Sequence, residues 1–104
     1  MESLQTIRLG YLDLGPTINK IQGFHNVQTV YFAFNRIRVI SPDAFDDMPN
    51  LKFLSLQNNL IESLVGFGLE KCLTLSFLDI RGNKISENIN AALDLPPNLL
   101  ILKT

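Results

Sequence analysis

Residues 51–61 read Leu-Lys-Phe-Leu-Ser-Leu-Gln-Asn-Asn-Leu-Ile. Leu54 and Leu56 are apolar and Ser55 between them is polar, the period of two that places alternate side chains on opposite faces of a short strand. The strand reading ends at Gln57-Asn58-Asn59, residues that favour a turn. The same arrangement occurs at residues 4–14 (LQTIRLGYLDL), 27–37 (VQTVYFAFNRI) and 75–85 (LSFLDIRGNKI), and begins again at residues 99–104 (LLILKT). First positions at Leu4, Val27, Leu51, Leu75 and Leu99 are spaced by 23 residues once and then by 24. One apolar stretch of this form arises easily by chance; four in register do not.

Such spacing predicts one short strand per copy, paired side by side as a parallel sheet with strands ~4.8 Å apart. Parallel strands need a crossover, which the residues between copies supply. No copy can bury its own apolar edge, so stability comes from contacts between neighbouring copies. The column Asn35, Asn59, Asn83 is expected to be structural, because an amide offers two donors and a carbonyl to the turn backbone. Leu12 departs from it. Ile40, Ala44, Phe45 and Met48 in the second crossover, and Leu64, Phe67, Leu69 and Cys72 in the third, are expected to point inward. Pro42 marks a turn. The fourth crossover reads as one helical turn over Ile89 to Leu93, broken at Pro96-Pro97.

The chain has 104 residues, a formal net charge of −1 and 46% hydrophobic residues. That describes one domain with a core of ordinary richness, spanning 1–104. Near-zero charge argues against a phosphate backbone as the partner. No apolar run reaches the ~20 residues of a membrane span. The opening MESLQTIRLG lacks the basic start and apolar run of a secretion signal. A single cysteine, Cys72, and no Asn-x-Ser/Thr sequon favour an intracellular, cytoplasmic setting. The first copy starts close to Met1 and the last stops within its strand. Open strand edges template association, so the chain is expected to be a fragment or to have its ends covered by partners.

Alternation also assigns an outward face. One column holds Thr6, Thr29, Phe53, Phe77 and Ile101; the next holds Arg8, Tyr31, Ser55, Asp79 and Lys103. Gly10, Ala33, Gln57 and Arg81 follow, then Tyr11, Phe34, Asn58 and Gly82. The expected partner-binding surface comprises Arg8, Tyr11, Tyr31, Phe34, Phe53, Ser55, Gln57, Phe77, Asp79 and Arg81. Aromatic clusters of this kind mark interaction sites. Phe53 and Phe77 could instead simply pack on each other. Asp79 is expected to pair with Lys103 or Arg81.

No catalytic constellation is legible. His25 stands without a second ligand at metal spacing. Cys72 has no base to activate it. Asp43, Asp46 and Asp47 read as a solvated acidic group, and Gly66 and Gly68 as turn glycines without phosphate-loop spacing. No enzyme activity, cofactor, metal or small-molecule ligand is expected, nor direct contact with nucleic acid.

On these repeats the chain resembles the leucine-rich-repeat superfamily. The resemblance implies an α/β, right-handed solenoid of about 4.5 repeats, with its parallel sheet on the concave face and short 3₁₀, irregular or helical crossovers on the convex face. LQTIRL, NLKFLSLQNNLI, LSFLDIRGNKI and PPNLLIL further resemble the intracellular leucine-rich-repeat proteins of cilia, including one associated with axonemal radial spokes. That resemblance implies a protein–protein interaction or scaffold role in a cytoskeletal assembly of the cilium, with protein partners on the concave face and at the solenoid ends. The alternative is a regulatory subunit of a phosphatase-type or ribonucleoprotein complex, since the family also resembles proteins of those two kinds.

Overall fold

A computed structural model describes residues 5–12, 15–85 and 99–102. The expected strands form. They are β1 (Thr6–Arg8), β3 (Thr29–Tyr31), β5 (Phe53–Ser55), β6 (Phe77–Asp79) and β7 (Leu100–Leu102), in one parallel sheet ordered β1-β3-β5-β6-β7. On the crossover side, β2 (Thr17–Ile18) and β4 (Val39–Ile40) make a second, two-stranded parallel pair. Each copy of the repeat thus adds one rung to the stack, and contacts run between neighbours along the sheet order.

The register puts Ile7, Val30, Leu54, Leu78 and Ile101 in one row behind the sheet. Val30, Leu54 and Leu78 have no exposed surface. Val27, Leu51 and Leu75 lie before them in the chain, and Phe32, Leu56 and Ile80 after them, all buried. Ile40, Ala44, Phe45 and Met48 close the core from the second crossover, and Leu64, Phe67 and Leu69 from the third, as expected. Cys72 is half-buried and packs against the same cluster. A Cβ on Gly68 would come within 2.2 Å of Pro42 O, so the third crossover packs on the second at a point only glycine allows.

The expected register fails at one strand. Leu100, not Ile101, pairs with Phe77, and Ile101 lies behind the sheet beside Leu78. Leu100 N donates to Ser76 O and Ile80 N to Leu102 O, which fixes the frame. The run Leu99-Leu100-Ile101-Leu102 is apolar throughout, so it carries no alternation from which a register could be read, and a slip of one residue exchanges the two faces. Among the described residues the helical content is one 3₁₀ turn, Leu69–Lys71, so the helical share of the α/β expectation is nearly empty. The predicted turn over Ile89 to Leu93, the break at Pro96-Pro97 and Lys103 all lie outside the described residues.

Asparagine side chains hold the turns that leave the strands. Asn59 Oδ1 accepts from the backbone N–H of Asn35 (2.9 Å) and of Ile37 (3.0 Å). Its Nδ2 donates to the carbonyls of Phe32 (3.0 Å), Leu56 (3.1 Å) and Gln57 (3.2 Å). Asn35 reaches back likewise to Leu12 N and Leu9 O, and Asn83 to Ile61 N and Leu56 O. Each amide therefore clamps the copy before its own.

Candidate functional site

The strands carry Thr6, Thr29, Phe53, Phe77 and Leu100 in one row of the sheet's open face, and Arg8, Tyr31, Ser55, Asp79 and Leu102 in the next. Adjacent rungs of a parallel sheet lie ~4.8 Å apart, so like positions meet. The Phe53 and Phe77 rings stack with centroids 4.8 Å apart and planes 8° from parallel. Tyr31 joins them, 5.4 Å from Phe53 and tilted by 47°. The Arg8 guanidinium lies 4.5 Å over the Tyr31 ring, a cation–π contact. Four side chains from four strands thus form one continuous tier.

A second aromatic pair stands where the chain turns away from the sheet. Tyr11 and Phe34 stack at 4.5 Å with planes 7° apart. Both are exposed, Tyr11 at 76% and Phe34 at 43%. Both also have left-handed backbone, φ 62° and 63°, in the column where Asn58 has 56° and Gly82 has 76°. That conformation costs a residue with a Cβ roughly 1–2 kcal/mol. Gly10 and Ala33 directly precede Tyr11 and Phe34 in the chain, and both are half-buried.

At the third and fourth repeats, polar groups fill the corresponding space. Asp79 accepts from Arg81 Nε (3.0 Å), Nη2 (2.8 Å) and backbone N–H (3.2 Å), and from Gln57 Nε2 (2.6 Å). Burial raises the Asp79 carboxyl, but the Arg81 and Gln57 bonds outweigh it and hold the group below its ordinary pKa. The same pairing raises that of Arg81. Asp79 is 2% exposed, while the Arg81 side chain is 45% exposed. Of the two partners expected for Asp79, the structure shows Arg81.

Of the ten residues expected to bind a partner, Arg8, Tyr11, Phe34 and Arg81 are exposed. Tyr31, Phe53, Gln57 and Phe77 are half-buried. Ser55 and Asp79 are buried. Ser55 lies between Tyr31 and Asp79 in register, and its Oγ makes no hydrogen bond among the described residues. Exposed Leu100 joins the face in place of Ile101; a register read from backbone bonds, not from composition, was needed to find it.

The other candidates disperse. Asp43 pairs with Ser41, Asp46 with Lys71 at 3.2 Å, and Asp47 with Gly23 N at 2.9 Å and His25 Nε2 at 3.1 Å. Among the described residues, no three His, Cys, Asp or Glu side chains converge as metal ligands. No helix among them is long and apolar enough to cross a membrane. On the crossover side, a cleft of about 320 Å³ opens between Arg38, Val39, Leu60, Glu62, Val65 and Phe67.

A repeated strand, an asparagine clamp and a crossover of fixed length define a class of protein, and residues 25–85 match the model of the leucine-rich-repeat family. This chain belongs to that family, whose members bind protein partners. It is 38% identical over 68 residues to a probable U2 small nuclear ribonucleoprotein A′ of Caenorhabditis elegans, a match covering 64% of this chain and 27% of the relative. It is 31% identical over 75 residues to the leucine-rich repeat-containing G-protein coupled receptor 5 of Rattus norvegicus, covering 72% of this chain and 8% of the receptor. The chain thus spans about a quarter of the first relative and under a tenth of the second. No solved structure matches it. Neither relative carries the resemblance to ciliary proteins further.

Proposed function

We propose that this chain is a non-catalytic module that holds a protein partner against the open, concave face of its sheet. The observation that carries this reading is the aromatic surface of that face, half-buried at its centre and exposed at its margin. Tyr31, Phe53 and Phe77 form its central tier, and Tyr11 and Phe34 stand at its margin in a backbone conformation that is costly for residues of their kind. Large rings already packed on one another lose little conformational freedom on binding, and aromatics cluster at interface hot spots.

The assembly we favour is a ribonucleoprotein complex of the nucleus. Similarity to a U2 small nuclear ribonucleoprotein A′ supports it. The cytoplasmic and ciliary scaffold reading rests on sequence resemblance alone. Tagged chain recovered from cells with its bound proteins tests both. Small nuclear ribonucleoprotein components in the wild-type sample, absent with Phe53→Ala/Phe77→Ala at an unchanged melting temperature, are the expected result. Axonemal proteins in their place would restore the ciliary reading. A double variant that keeps every partner would remove the open face from the function altogether.

A further inference from the structure

One carboxylate orders the polar group beside the aromatic tier. Asp79 accepts from Arg81 Nε, Nη2 and backbone N–H, and from Gln57 Nε2. A carboxylate offers about four lone-pair sites, so Asp79 is saturated from within the chain. Ser55 agrees with that. Its hydroxyl neighbours Asp79 in register, is buried, and makes no hydrogen bond among the described residues. Asp79 is buried too. A partner on this face therefore meets the groups that the carboxylate holds, not the carboxylate.

Those groups present a definite pattern. The Arg81 guanidinium spends its Nε and one Nη2 hydrogen on Asp79, and its Nη1 edge is left over. Its side chain is exposed and bonds to nothing else among the described residues. Gln57 is fixed as well. An ionised carboxylate only accepts, so the Gln57 amide turns its NH2 toward Asp79 and its carbonyl oxygen, Oε1, away. No bond to Oε1 is formed among the described residues. Gln57 and Arg81 occupy the same position in successive repeats, so a donor edge and an acceptor oxygen lie on neighbouring rungs.

This pair of groups is selective. Asp79 already balances the Arg81 charge, and a carboxylate arriving there would be repelled by Gln57 Oε1. A cation would be repelled by Arg81. A neutral carboxamide meets neither obstacle: its C=O accepts from Arg81 and its NH2 donates to Gln57 Oε1. Main-chain amides of a folded segment are mostly paired with one another, which leaves a side-chain amide with both halves free.

We propose that the open face receives an asparagine or glutamine side chain of its protein partner, the carboxamide bonding Arg81 and Gln57, with Asp79 as the positioning residue that aims both. This rests on the protein-binding reading above and deepens it.

Selection from a random peptide display library on the immobilised full chain tests it. Recovered peptides should share one Asn or Gln beside apolar residues. Replacing it by the matching Asp or Glu should lower affinity about tenfold, and replacing it by Leu should do the same. On Gln57→Met or Arg81→Lys the amide and Leu peptides should bind alike; Arg81→Lys keeps the charge and loses the planar fork. Both positions reach the surface, so both variants should melt with the wild type, and either alone suffices for the test. Asp79→Asn should erase the preference for amide over acid, which a merely structural carboxylate would leave in place. An empty selection, peptides without a shared amide, or acid and amide peptides of equal affinity overturn the proposal. Amide peptides lost with Phe53→Ala/Phe77→Ala but indifferent to Gln57→Met and Arg81→Lys leave the open-face reading standing and remove the amide. Peptides indifferent to all of these variants remove both.

Discussion

Asn59 shows how much one side chain does here. It satisfies two backbone donors and three carbonyls in two successive turns. Asn59→Ala would strand buried groups, each costing about 1–3 kcal/mol, so chemical denaturation should show a loss of at least ~3 kcal/mol. Phe34 is the opposite case. Phe34→Asn relieves a left-handed strain of roughly 1–2 kcal/mol and gives up a ring stack of about 0.5–1.5 kcal/mol. Stability should therefore change by less than ~1 kcal/mol, while partner affinity drops. A large loss of stability would make that ring structural. Asp79 supplies a pH dependence. Its folded pKa lies below the unfolded value, so its contribution is present above the ordinary carboxylate range and is lost as pH falls through the folded pKa. The melting temperature of Asp79→Asn should therefore fall less steeply than wild type on acidification.

At the scale of the element, the strands are only two or three residues long, and their side chains decide what each one does. Leu54 has no exposed surface and Ile7, its equivalent on the outer strand, is half-buried. Leu54→Ala should cost about 2–5 kcal/mol and Ile7→Ala distinctly less, by the same denaturation measurement. The final strand offers a sharper comparison. Ile101→Asp places a charge behind the sheet and should destabilise, whereas Leu100→Asp, on the 56% exposed neighbour, should be tolerated. The reverse order would restore the register that composition alone suggested. Here the sequence was legible where strands alternate, as at Val30 and Leu54, and illegible where four apolar residues follow one another. The inward crossover positions were legible too, from apolar offsets repeated in two copies.

For the molecule as a whole, the tiers matter more than the individual residues. Parallel stacking brings Arg8, Tyr31, Phe53 and Phe77, far apart in the chain, into one line. The aromatic columns could be written down from the repeat, since equal positions in successive copies become neighbours. Their ring orientations, and hence which chemistry they present, could not. Nor could the burial of Ser55 and Asp79, because it depends on how Tyr31, Gln57 and Arg81 lie across neighbouring rungs.

The repeat length, the apolar columns and the asparagines follow from the chain alone, because each is a matter of period and of backbone groups that must be paired. Packing between copies decided the rest: the frame of the last strand, the stacking of the rings, and the burial of Asp79 beneath Arg81. Those depend on distances between side chains of different repeats, and no single repeat contains them.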